Sequence, residues 1–213
     1  MLRAHGYFRS GASWRLRIAL NLKGIEAEQA YVHLRKGEQS APSFRALNPE
    51  GLVPVLEHNG EVLTQSLAII EYLDEIQSNP PLLPPAPADR AFVRAIALAI
   101  ASDIHPLDNL RVLSYLKDEF NIDDAGRNRW YAHWIAVGFA SLEGRLARDR
   151  RVGRFCFGDT PTLADVCLIP QMGNAERMNC PLDAYPTLQR IRAAALALPA
   201  FAAAAPDVQP DAG

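Results

Sequence analysis

The sequence predicts an α/β amino-terminal domain followed by an all-α carboxy-terminal domain. Three observations carry this. The first eighty or so residues alternate short extended runs with amphipathic ones. Residues 79–87, NPPLLPPAP, hold five prolines in nine positions, which excludes helix and central strand and marks a stiff spacer. From Asp89 onward the chain is alanine-rich and carries apolar residues at helical spacing with almost no strand-like alternation. The boundaries that follow are 1–82 for the first domain, 83–87 for the proline-rich linker and 88–213 for the helical domain.

In chain order, Ala4 to Phe8 reads as the end of a strand. Ser13 to Lys23 reads as a helix that stops at Gly24, the residue type favoured just past a helix end. Glu28 to Leu34 is a second strand and Ser43 to Leu47 a helical turn. Val53 to Glu57 and Gly60 to Leu63 form a hairpin, because Asn59-Gly60 supplies the positive φ angles of a tight turn. Ser66 to Ile76 places Leu67, Ile70 and Leu73 on one helical face. Beyond the prolines, helices are predicted over 89–102, 107–120, 127–148, 162–176 and 186–198. Thr162-Leu163-Ala164-Asp165 has the spacing of a capping box, whose ordinary role is to start a helix.

The 213 residues are 49 % apolar and 22 % charged, with a formal net charge of −2. This balance fits a globular chain and argues against disorder or a basic nucleic-acid surface. An anionic ligand would therefore be held by individually placed cations. Cys156, Cys167 and Cys180 are eleven and thirteen positions apart, which fits neither a disulfide framework nor a zinc cluster. Met1 to Ser10 lacks a signal-like apolar core, and the longest uncharged stretches, 130–142 and 193–206, are too short to span a bilayer. A cytoplasmic protein without membrane or nucleic-acid partners is expected.

Several segments could bind an anion. Arg9-Ser10-Gly11-Ala12-Ser13-Trp14 sits between a strand and a helix, where hydroxyls, backbone N–H groups and the helix dipole favour negative charge. A serine there can equally be a plain helix cap. Gln65-Ser66 precedes another helix and allows the same two readings. Pro54 suits the first residue of a strand, and on its own is read with an ordinary trans bond.

Taken together, Arg9 to Leu20, Ala46-Leu47-Asn48-Pro49, Leu52-Val53-Pro54, Gln65 to Leu73, Asp103 to Arg111 and Gly158 to Asp165 resemble the zeta class of the glutathione transferase family, which includes the maleylacetoacetate and maleylpyruvate isomerases. The resemblance runs through nearly the whole chain in the family's order. It implies a thioredoxin-like first domain, glutathione as cofactor and a homodimer. By position, Ser10, Gly11, Ala12 and Ser13 would surround the glutathione sulfur, and Val53, before a cis Pro54, would pair with the cysteinyl backbone. Gln65 and Ser66 would hold the γ-glutamyl carboxylate, and Gln39 the glycyl end. His105 and the stretch Asn109, Leu110, Arg111 would contribute from the helical domain. His105, preceding Pro106, reads equally well as a residue packed at a kink.

One departure matters. Zeta proteins commonly read Ser-Ser-Cys-Ser where this chain has Ser10-Gly11-Ala12-Ser13, so a mechanism using an enzyme thiol at that point is excluded, as is disulfide exchange. The implied reaction is cis-trans isomerisation of a maleyl dicarboxylate by reversible addition of the glutathione thiolate. Ser10 would keep the thiol ionised. Arg9, Arg111 and Arg177 would hold the substrate carboxylates, since the guanidinium fork binds carboxylate bidentately. Two other readings are a transferase active mainly in conjugation or dehalogenation, with an apolar pocket, and a non-catalytic module of the same fold. The arginines argue against the first. Retention of Ser10, Val53-Pro54 and Gln65-Ser66 argues against the second.

Overall fold

The computed structural model describes residues 1–212. They divide into two compact units, Met1–Leu82 with the segment from Leu196 onward, and Leu83–Ala195.

The first unit is built on a four-stranded mixed sheet, β1 (Leu2–Gly6), β2 (Glu28–Tyr31), β3 (Val55–His58) and β4 (Glu61–Thr64), in the order β2-β1-β3-β4. Strand β1 runs parallel to β2 and antiparallel to β3, and β3 and β4 form the expected hairpin, with Val55 opposite Thr64. Alternation along the strands sorts side chains to two faces. Ala4 and Leu56 pack with Leu16, Leu20, Ile69 and Leu73 from helices α1 (Gly11–Lys23) and α3 (Ser66–Ile76). Val55 joins Tyr7, Phe8, Val32, Val53 and Phe44, the last from the short helix α2 (Pro42–Leu47). Helix α1 ends at Gly24 in the left-handed conformation, as its sequence predicts.

The second unit is helical. Helix α4 (Pro87–Leu98) continues into a π-helical segment, Ala99–Ile104, followed by α5 (Leu110–Asp118), α6 (Asp124–Leu146), α7 (Leu163–Arg177) and α8 (Pro186–Leu196). The π segment fits against α6 because position 138 is glycine: a Cβ there would lie 2.3 Å from Ile104 Cδ1. The capping box at Thr162 and Asp165 is present and starts α7, and Asp165 also accepts from the Cys156 N–H at 2.8 Å. Its role is structural.

Two features differ from the sequence expectation. The terminal segment, assigned to the helical domain within 88–213, groups with the first unit. There it forms helix α9 (Pro199–Ala202) and two 3-10 turns, buries Phe201 and Ala204, and takes hydrogen bonds from Arg17 to the Ala204 carbonyl and from Asn21 to that of Ala200. The proline run is less of a free spacer than its composition suggests: Leu82, Leu83 and Pro84 are buried, and Pro87 opens α4.

Candidate functional site

In the first unit the site is built where β1 gives way to α1. Ser10 is extended (φ −70°, ψ 118°) and its Oγ accepts from the Ser13 N–H at 3.2 Å, so it caps α1. That bond uses an oxygen lone pair and leaves the half-buried hydroxyl its hydrogen. Ser13 is only 3 % exposed, and its Oγ accepts from the Tyr7 N–H at 3.3 Å. The two serines therefore divide the work: Ser13 knits the turn from inside, and Ser10 presents an O–H donor. The N–H groups of Gly11 and Ala12, in the first turn of α1, have no intrahelical acceptor and add to the positive end of the helix dipole.

Arg9 is partly exposed, with its guanidinium carbon 5.1 Å from the Phe8 ring centre, and it has no carboxylate partner among the described residues. Val53 is followed by a cis peptide to Pro54, as the resemblance implies. Its side chain is buried in the second core cluster, while its N–H and C=O make no backbone hydrogen bond among the described residues. An extended segment could pair with them as an added strand would.

Gln65 adopts φ +67°, uncommon for a residue with a side chain, at the N-cap of α3. Its amide donates to Glu50 Oε2 at 3.0 Å. Ser66 is buried, and its hydroxyl accepts from Arg15 Nη1 at 3.3 Å. That bond ties the start of α3 to α1 and leaves the α3 N-terminus open to an anion. Gln39 lies in a 3-10 turn with its side-chain oxygen buried and lacking a hydrogen-bond partner. The Gln39 carbonyl would sit 3.1 Å from a Cβ at position 51, where Gly51 has φ +62°, so the 39–51 approach needs glycine. Thus Arg9 to Ser13, Val53, Gln65, Ser66 and Gln39 all belong to one unit. Glu50 and Arg15 were not singled out from the sequence; only the fold brings them to Gln65 and Ser66.

The remaining candidates lie in the helical unit. The N–H of His105 closes the π segment by donating to the Ile100 carbonyl at 2.9 Å. Asn109 caps α5 by accepting from the Arg111 N–H at 3.1 Å, so part of its role is structural. Leu110 and the Arg111 side chain are exposed. Arg177, at the end of α7, donates to Asn174 Oδ1 at 3.0 Å. Neither arginine is paired with a carboxylate among the described residues.

Asp108 lies within the stretch Asp103 to Arg111 that carries the resemblance, which gives it no role. It is 8 % exposed, neither carboxylate oxygen has a hydrogen-bond partner, and burial pushes its pKa up to about 8 from an ordinary 3.8. Burial raises the pKa of Tyr131 and Cys180, the Asp108 charge adds to both shifts, and Arg177 opposes that of Tyr131. The folded chain keeps this proton to about pH 8, whereas the unfolded carboxyl releases it near its ordinary 3.8. Stability therefore falls as pH rises between those values and levels off above. Asp108→Asn is expected to raise unfolding free energy by about 2–3 kcal/mol at pH 8.5, an amount discounted for water reaching the ionised site, with no gain near pH 4. Denaturant melts at the two pH values check this.

The Glutathione S-transferase, N-terminal domain family model matches residues 9–76. The chain is 51 % identical over 210 residues to a probable maleylacetoacetate isomerase of Vibrio cholerae, covering 98 % of this chain and 97 % of the relative. It is 48 % identical over 210 residues to a maleylpyruvate isomerase of a Ralstonia species, covering 99 % of each. It also superposes on the holo structure of a bacterial maleyl pyruvate isomerase described as a zeta-class glutathione S-transferase, with a TM-score of 0.97, 47 % identity and coverage of 99 % and 100 %. The chain belongs to the zeta class of the glutathione transferases. The chain is also similar to the maleylacetoacetate isomerase of Methylobacterium extorquens, solved with malonate and glutathione, at a TM-score of 0.97, 40 % identity and 99 % coverage of both chains.

In this zeta-class transferase the amino-terminal unit has donors suited to glutathione. The Ser10 hydroxyl and the open starts of α1 and α3 can donate to a thiolate or a carboxylate, the Val53 backbone has no backbone partner among the described residues, and the buried Gln39 amide oxygen is an acceptor that lacks a donor. Among the described residues no cluster of side chains suits a metal ion, and no helix is long and apolar enough to cross a membrane.

Proposed function

We propose that the chain is a glutathione-dependent cis-trans isomerase of a maleyl dicarboxylate, of the maleylpyruvate or maleylacetoacetate type. The observation that carries this is Arg9, a guanidinium without a carboxylate partner among the described residues, adjacent in sequence to the Ser10-capped start of α1. When bound, glutathione supplies a thiolate that adds reversibly to the conjugated cis double bond and leaves again after rotation. Ser10 donates its hydroxyl hydrogen to the thiolate, and the N-terminal dipole of α1 lowers the thiol pKa further. Gln65, Ser66 and Gln39 hold the two ends of the tripeptide, and the Val53 backbone aligns its middle.

Arg9 holds a substrate carboxylate and offsets the negative charge that develops during addition. Arg111 and Arg177, neither paired with a carboxylate among the described residues, are assigned to the substrate on the resemblance alone. His105, Asn109 and Leu110 are assigned to the glutathione side on the resemblance alone. Relatives named for each of the two substrates support the shared maleyl group. Three free, buried cysteines suit a reducing, cytoplasmic compartment, and a homodimer belongs to the same reading.

Glutathione-dependent conversion of a maleyl diacid to its fumaryl isomer, followed spectrophotometrically, tests the proposal directly. Arg9→Ala should raise KM for the diacid about tenfold and lower kcat/KM by at least as much, with calorimetric glutathione affinity changed less than about twofold. Unaltered diacid kinetics in that variant would remove Arg9 from the substrate site. Faster turnover of a chlorinated acid than of the cis-diacid would favour the dehalogenating alternative.

A further inference from the structure

The turn that carries Arg9 and Ser10 is held from below by the terminal segment. Phe8, immediately before Arg9, donates its N–H to Asp211 Oδ2 at 2.9 Å, across 203 residues of sequence. Its carbonyl accepts from Arg17 Nη2 at 3.0 Å, and Arg17 Nε donates to the Ala204 carbonyl at 3.0 Å. Arg17 also reaches the Tyr7 carbonyl at 3.5 Å, an acceptor it shares with the Ser10 N–H at 3.0 Å. Burial lowers the pKa of Arg17 to about 10, with Asp211 opposing the shift, so the guanidinium stays charged at neutral pH. Gln209 stiffens the segment by donating to the Ala203 and Ala205 carbonyls at 2.9 and 2.8 Å. Asp211, Gln209, Arg17, Phe8 and Ser13 line one small cavity beneath the turn.

These bonds satisfy both polar groups of the Phe8 backbone. The Phe8 side chain is held in the second core cluster, but no ladder or helix bond reaches its backbone, since β1 ends at Gly6 and α1 begins at Gly11. An unpaired buried N–H here would be costly, and a turn free to shift would displace Ser10 by distances that matter to a hydrogen bond.

We propose that Asp211, with Arg17 relaying to Ala204, is a positioning residue for glutathione: the terminal segment sets the turn so that the Ser10 hydroxyl and the start of α1 meet the thiolate. Asp211 touches neither glutathione nor substrate in this assignment and acts through Phe8. The inference rests on the glutathione reading above. Calorimetry on the unaltered protein separates the two, since absence of glutathione binding there overturns that reading, and this one with it.

The test compares Asp211→Ala, which loses the acceptor, with Asp211→Asn, which keeps one. In the alanine variant, kcat at neutral pH should fall about fivefold while KM for the diacid changes less than about twofold, and the loss should shrink as pH rises because the bound thiol titrates higher. Ultraviolet titration of the bound thiol should show that shift directly, and the asparagine variant should restore both readouts. Reciprocity adds a measurement on the unaltered protein: glutathione should slow amide exchange at Phe8 and along residues 204–212. A folded alanine variant with unshifted thiol titration and unchanged kcat overturns the proposal, even if its melting temperature falls. If that variant does not fold, the exchange experiment decides, and no slowing in the terminal segment overturns it.

Discussion

Ser10→Ala should lower kcat for the maleyl diacid by about a hundredfold at neutral pH, the scale on which removal of one donor to a reacting anion is felt. The hydroxyl is placed for this because its oxygen already accepts from the Ser13 N–H, which fixes the oxygen and leaves its hydrogen free to donate. Without it, the thiol is left with the helix dipole alone, and its pKa should rise by about 1–2 units. Activity of the variant should therefore recover as pH rises. The same substitution removes the α1 cap and costs about 1 kcal/mol of stability. Ser10→Thr, which keeps both hydroxyl and cap, should stay within about tenfold of the unaltered enzyme. A flat pH dependence in Ser10→Ala, or a loss shared equally by the threonine variant, would take Ser10 out of the thiolate's surroundings.

Lys23→Met should destabilise the fold by about 3–5 kcal/mol, the usual cost of breaking a buried, multiply bonded charge. The Lys23 side chain is fully buried. Its ammonium meets the Asp74 carboxylate and the carbonyls of Gln77 and Pro80, the latter two at 2.6 and 2.7 Å. Methionine fills the stem but leaves two carbonyls without their donor. Asp74 would keep only the Leu82 N–H at 2.9 Å. Urea unfolding checks the magnitude. Glutathione affinity measured well below the midpoint should stay nearly unchanged, since Lys23 lies at the far end of α1 from Ser10.

The elements most legible in the sequence are those whose signals are local. Gly24 ends α1, Asn59-Gly60 turns the hairpin, Ser66–Ile76 is a helix over the span its periodicity gives, and Thr162 with Asp165 starts α7. Misread stretches depend on tertiary contacts. The helix read over 89–102 changes at Ala99 into a π segment because Gly138 lets Ile104 approach α6, a relation between residues far apart in sequence. The alanine-rich segment after Leu196 carries helical composition but joins the first unit, drawn by Arg17, Asn21 and the Phe8 N–H. For the site, the types Ser10, Gln65 and Ser66 were visible as possible caps or anion holders. Which of Ser10 and Ser13 faces outward was decided by Tyr7, whose N–H turns Ser13 inward. Asp108 lies in a stretch that carries the resemblance, yet its burial is not legible, because nothing in a sequence tells an orphaned carboxyl from a solvated one.

The placement of the cysteines bears on the enzyme's durability. A conjugated maleyl compound is a Michael acceptor toward any accessible thiolate, and a protein that handles it with its own cysteines nearby would be alkylated during turnover. Here position 12 is alanine, Cys156 and Cys167 are fully enclosed, Cys180 is 7 % exposed, and burial drives the Cys156 thiol far up and that of Cys180 to about 11. The polypeptide thus offers its electrophilic substrate no competing nucleophile of the same kind. Any sulfur consumed in a stray addition is diffusible and replaceable, and the catalyst itself is spared.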